Sequence, residues 1–318
     1  MKRTIGAASA LALLAGAASA QETTLRGVTS FAEGTTFSRP FERFVERVDE
    51  QCEEITIDYI GGPSAMPPFE VGNAVQAGVV DIANVTSAYY TNLLPEGEAL
   101  KLSELTIQEQ RANGAWDFIN DLHNEKMNAW YLARTGDGVP FHLYLTEAIE
   151  TPDLAGLTLR TTPVYRAFFT ALGANLVQTP PGEVYTALER GVVQGYGWPI
   201  QGVLDLGWQE VTNYRVDPGF YNVDVNILVN LDRWNGLTDA QRDCLSEQAI
   251  WIEGANAENA GLNEEERQRQ AEAGIETIEF TGDDRTMWLE TAQSAGWAYV
   301  HEVVDKETAA RLEELLTE

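Results

Sequence analysis

The run EITIDYIGGPSAMPPFEVGNAVQAGVVDIANV, Glu54 to Val85, decides the fold. Ile55, Ile57 and Tyr59 alternate with Glu54, Thr56 and Asp58, the period-two pattern of a half-buried strand. Gly61-Gly62-Pro63 breaks the pattern, Pro68 to Ala77 reads as a helix, and Val79 to Val85 as a short apolar strand. Just upstream, Thr36 is placed to cap a helix that puts Phe37, Phe41, Phe44, Val45 and Val48 on one face. Helices alternating with strands imply a mostly parallel sheet with helices on its faces.

The pattern recurs downstream. Leu157 to Arg160 reads as a strand, and the helix around Tyr165, Phe168, Phe169 and Leu172 stops at Gly173, where a positive φ is wanted. Leu176-Val177 follows as a strand, Pro181 opens another helix, Gly191 ends it, and Val192-Val193 starts the next strand. The chain is therefore expected to form two α/β lobes. The first takes residues 21–137 plus about 227–268, the second 138–226 plus about 269–318. Val223, Val225, Ile227 and Val229 alternate with polar residues in a strand long enough to pass between lobes, and the crossings near Gly138 and Asn226 are expected to hinge. Leu237 to about Ala273 is a nearly unbroken helical stretch, too long for one compact layer but suited to spanning both lobes.

The 318 residues carry 44% hydrophobic positions, enough for a core, and 21 Lys+Arg against 49 Asp+Glu give a formal charge of −28. That sign excludes nucleic acid as the main partner and opposes binding to an anionic membrane surface. Lys2 and Arg3 precede an apolar stretch from Ile5 to Ala18, too short to span a bilayer, that ends in Ala18-Ser19-Ala20. This is expected to be a secretory signal peptide cleaved after Ala20, which places the mature chain in the periplasm with no membrane anchor. In that compartment Cys52 and Cys244 are compatible with one disulfide or with two separately buried thiols.

Catalytic patterns are missing from the sequence. The three histidines, His123, His142 and His301, have no metalloprotease spacing, and there is no Gly-x-Ser-x-Gly elbow, Gly-rich phosphate loop or Cys-x-x-Cys pair. The carboxylate run Glu264-Glu265-Glu266 reads as a solvated helix face. No enzyme activity, cofactor or metal is expected.

Three segments, Thr35 to Leu105, Asp153 to Trp198 and Phe220 to Leu245, resemble the periplasmic solute-binding proteins of tripartite ATP-independent (TRAP) transporters. The resemblance is carried by Gln76-Ala77-Gly78-Val79-Val80-Asp81-Ile82-Ala83, by Asp153-Leu154-Ala155-Gly156-Leu157-Thr158-Leu159-Arg160, and by the run from Pro181 to Gly195. It implies a clamshell of two lobes with a long helix across both, a small-molecule carboxylate as ligand, and a sodium-driven membrane permease as partner. It also implies that Arg160 grips the ligand carboxylate, a role that suits a planar guanidinium which stays charged at working pH. The alternative for Arg160 is a local pair with Asp153. Trp198 falls at a family contact position, or else packs under the hinge. Thr86, Ser87 and Tyr89 occupy the loop after the first lobe's strand, where open α/β sheets bind ligands. Phe69, Phe220 and Tyr221 match contact regions or are simple packing.

Two departures from the family pattern narrow the ligand. Gly138-Val139-Pro140-Phe141-His142 stands where many members carry a second arginine, and Gly197 where some have a cation-binding acid. The expected ligand is a monocarboxylate, a 2-oxo or hydroxy acid, or an aromatic acid. A ligand sensor for a membrane receptor and an exported hydrolase are the competing readings.

Overall fold

The computed structural model describes residues 23–317, so the expected signal peptide, residues 1–20, lies outside the described residues. In chain order the strands are β1 Thr23–Thr29, β2 Ile55–Tyr59, β3 Ile82–Thr86, β4 Ala129–Thr135, β5 Phe141–Leu145 and β6 Thr158–Thr161. Then come β7 Asn175–Gln178, β8 Gly195–Pro199, β9 Tyr214–Asp217, β10 Val225–Asn230 and β11 Glu276–Glu279. The α-helices begin with α1 Arg39–Gln51, α2 Val71–Gln76, α3 Ile107–Asn113, α4 Ala115–Met127, α5 Pro163–Ala171 and α6 Val184–Glu189. The rest are α7 Leu231–Asn235, α8 Asp239–Gly254, α9 Asn259–Glu272, α10 Gly282–Val303 and α11 Lys306–Thr317.

Two sheets form, one per lobe. The first has the order β2-β1-β3-β10-β4 and the second β11-β9-β5-β8-β6-β7. Each keeps a parallel core, β2-β1-β3 and β8-β6-β7, and each takes in an antiparallel strand, β10 and β5. The chain passes between sheets at 136–140 and 218–224, and again through the α8–α9 helix. That helix runs Asp239 to Glu272 with one 3-10 turn, Ala255–Glu258, in the middle. Asn256, Asn259 and Asn263 in and after that turn donate side-chain hydrogen bonds to the carbonyls of Arg134, Asp137 and Gly138. Further along, Gln270 donates to Ile200 O in the second lobe. The long helix is thus stitched to the crossing and to both lobes.

Three expected boundaries move. The first helix starts after Ser38, because Pro40 fits the first turn, where its missing N–H costs nothing. Phe37 therefore leaves the helix, and Thr36 caps nothing. β3 starts at Ile82 and β8 at Gly195, not at the Val79 and Val192 expected from the apolar runs. In both places a glycine at positive φ, Gly78 or Gly191, ends the helix, and the next N–H reaches back five residues, from Val79 to Ala74 O and from Val192 to Ala187 O. This is a Schellman turn, and it leaves Val79 and Val192 more than half exposed. Nor does β10 run between lobes. Asn226, expected at a hinge, pairs with Val85 and Arg134 inside the first sheet, and its side chain bonds Tyr131, Tyr90 and Asp224.

One apolar layer packs α1 and α8 on the outer face of the first sheet through Phe41, Phe44, Val48, Leu245 and Ile252. A disulfide joins Cys52, at the end of α1, to Cys244 in α8, with Cα atoms 5.9 Å apart. The C-terminal α11 packs back on the 3-10 segment Pro95–Leu102 and on α3 and α4.

Candidate functional site

The carboxyl ends of β3, β6, β7 and β8 face each other across the cleft, the place where open α/β sheets gather ligand-binding groups. A cavity of about 30 Å³ lies there. Phe31, Phe37, Thr86 and Tyr89 line it from the first lobe together with Val225 at the start of β10, Phe141, Thr162, Tyr165 and Trp198 from the second, and Val223 from the crossing. At about 30 Å³ per water it has room for about one, so the lobes are shut.

Arg160, in β6, is fully buried just behind this lining, with Cζ 5.9 Å from the Trp198 ring centre. Its Nε and Nη2 donate to Thr179 O at 3.0 and 2.7 Å, which fixes the plane of the guanidinium, while Nη1 has no hydrogen-bond partner. Among the described residues no carboxylate pairs with it, and Asp153 instead accepts from Ala155 N. Burial pulls the Arg160 pKa down, opposed by the phenols of Tyr89 and Tyr165, and burial also pushes Tyr89 up. A buried cation with an unused donor is costly unless an anion joins it.

The other sequence candidates divide. Thr86, Tyr89 and Trp198 line the cavity, and the Trp198 indole N–H is buried without a partner, between Phe37 and Trp208 in edge contacts. Ser87 lies beneath, its N–H donating to Asp224 at 3.0 Å. Phe69 stands behind Tyr89, ring centres 4.7 Å apart. Phe220 and Tyr221 do not line the cavity. Phe220 packs on Phe168 and Trp288, and Tyr221 donates to Ala292 O, because α10 covers the 218–224 crossing from outside.

Sequence reasoning missed several residues. Phe37 and Tyr165 read as helix-face core residues, yet they wall the cavity. Asp205 carried no local signal. Its Oδ2 accepts from both the N–H and the hydroxyl of Thr36 across the cleft, and Arg39 lies 3.7 Å from its Oδ1. Asp224 is buried, with one oxygen unpartnered, and burial pushes its pKa up to about 6.

The glycine at 197 has a steric cause, since a Cβ there would sit 2.6 Å from the Tyr165 ring. His142, in the segment where many members of the resembled family carry a second arginine, is buried and holds Val216 O and Asp217 through Nδ1. Among the described residues no group of three His, Cys, Asp or Glu is placed to hold a metal ion, and no helix is long and apolar enough to cross a membrane.

Two α/β lobes shut over a buried cation and a small apolar cavity define the class of two-lobed binding proteins. The chain belongs to the bacterial extracellular solute-binding protein family 7 (DctP), whose model matches residues 28–301. It is 28% identical over 187 residues to a monocarboxylate 2-oxoacid-binding periplasmic protein of Nostoc, a match covering 54% of this chain and 50% of that one. The chain thus spans about half the length of that curated relative. Two crystal structures share the fold. A TRAP periplasmic solute-binding protein of Roseobacter denitrificans with bound L-galactonate has a TM-score of 0.78 at 20% identity, covering 93% of this chain and 99% of its own. One from Desulfovibrio salexigens with bound orotic acid has a TM-score of 0.81 at 19% identity, covering 92% and 98%.

Proposed function

We propose that this protein captures an organic acid in the periplasm and delivers it to a sodium-driven membrane permease, with Arg160 holding the ligand carboxylate. The observation that carries this reading is the buried Arg160, locked in plane by Thr179 and left with Nη1 free. The indole N–H of Trp198 and the hydroxyls of Thr86 and Tyr89 complete the polar contacts. Family membership supports export and binding without turnover, and the Ala18-Ser19-Ala20 run supports cleavage of the leader after Ala20. The acids named for relatives, a 2-oxoacid, galactonate and orotic acid, share a carboxylate.

In this account the first lobe is residues 21–137 plus about 227–268 and the second 138–226 plus about 269–318, with α11 lying back on the first. Ligand contacts both lobes only when they are shut, so its preference for that state drives closure. A thermal-shift screen against organic acids tests the function. A ligand at 100 times its dissociation constant adds about 2.7 kcal/mol, a rise of several degrees in melting temperature. A library rich in monocarboxylates that produces no shift contradicts the proposal.

A further inference from the structure

A second chamber of about 340 Å³ lies beside the small cavity, between the loop after β1 and the segment after β7. Phe31, Phe37 and Trp198 line both spaces. Much of the remaining wall is apolar, with Pro63 and Pro68 from the first lobe and Pro180, Pro181 and Leu206 from the second. Arg160 is tied to that wall, because the carbonyl that fixes its guanidinium belongs to Thr179, directly before Pro180. Glu183 is the one charged residue lining the chamber, and no Lys, Arg or His lines either space.

We infer that this chamber houses the apolar substituent of the ligand, so that the protein selects monocarboxylates with a branched or aromatic tail. The inference rests on the reading of Arg160 as the carboxylate anchor. The small cavity alone is too small for an organic acid. The chamber falls in the range of small-molecule sites, about 300–1,000 Å³, and holds the equivalent of roughly eleven waters, enough for a tail of about five to nine non-hydrogen atoms. A second carboxylate placed there meets Glu183 and no cation, so dicarboxylates are refused.

Calorimetry on the full-length mature protein with propanoate, 4-methylpentanoate, 3-phenylpropanoate and butanedioate tests this. Burial of one CH₂ strengthens binding by about fourfold, so 3-phenylpropanoate should bind at least 30-fold tighter than propanoate, and butanedioate no tighter than propanoate. Gly182→Trp fills the chamber from a site where a Cβ meets nothing within 4 Å, and Leu206→Phe fills it from another wall. Each should cut the phenylpropanoate-to-propanoate ratio below about 5. A wild-type ratio near one, a preference for butanedioate, or an unchanged ratio in both variants overturns the inference. If none of the four binds while another acid in the screen does, the inference falls alone. If no acid of any kind binds, the anchor reading falls with it.

Discussion

Asp205 of the second lobe accepts two hydrogen bonds from Thr36 of the first, from its N–H at 2.8 Å and its hydroxyl at 2.7 Å. The contact bridges the cleft beside the ligand chamber and involves only protein atoms, so it stabilises closure whichever acid is bound. Asp205→Ala removes both bonds. Hydrogen bonds to a charged group are worth about 1.5–3 kcal/mol each when buried, and partial exposure places the pair at about 1–2 kcal/mol. Affinity should fall roughly 5- to 30-fold, almost entirely through faster release. Stopped-flow kinetics that return an unchanged dissociation rate contradict the latch.

The buried Asp224 gives stability an unusual pH dependence. Burial raises its folded pKa from 3.8 to about 6, so between those values the folded state holds a proton that the unfolded state has lost. This group therefore adds stability as pH falls from about 6 to about 4, by up to roughly 3 kcal/mol, and withdraws it as pH rises. Asp224→Asn cannot titrate. In urea unfolding its stability relative to wild type should be greatest near pH 7 and decline toward pH 4. A difference that stays constant across that range rules out a raised Asp224 pKa.

Fold class was legible because a strand's period of two and a helix's of 3.6 are local properties, and both lobes repeat them. The start of β3 was not, because Val79-Val80 has the composition of a strand while Gly78 spends both residues on closing the helix. Arg160 stood out through its motif. Periodicity reports which face of α5 is buried and not what buries it, which is why Tyr165 read as core. The Asp205–Thr36 contact joins residues 169 apart in sequence, and neither side chain carries a local sign of the other. Phe220 was ambiguous for the same reason: an aromatic beside a crossing suits either the cleft or the core, and its packing on Phe168 and Trp288 follows from the placement of α10.

The Cys52–Cys244 bridge closes a loop with a sequence separation of 192 on the outer face of the first lobe, away from the cleft. In the chain-entropy model such a loop adds about 5 kcal/mol, although measured values often fall short. Replacing both cysteines by serine should lower the melting temperature by several degrees and leave affinity within about threefold, since α1 and α8 still pack through Phe41, Phe44 and Leu245. An unaltered melting temperature removes the disulfide from the account of stability.

The most direct test of the whole account is calorimetry on Arg160→Ala with the tightest acid from the thermal-shift screen, beside the wild type. Removing one partner of a buried charge pair costs about 2–5 kcal/mol, so affinity should drop at least 30-fold. The circular dichroism of the unliganded variant should match the wild type, because in the free protein Arg160 donates to the loop carbonyl of Thr179, lies beside the Tyr89 phenol and pairs with no carboxylate. An affinity within threefold of wild type in a folded variant would contradict the claim that this arginine holds the carboxylate.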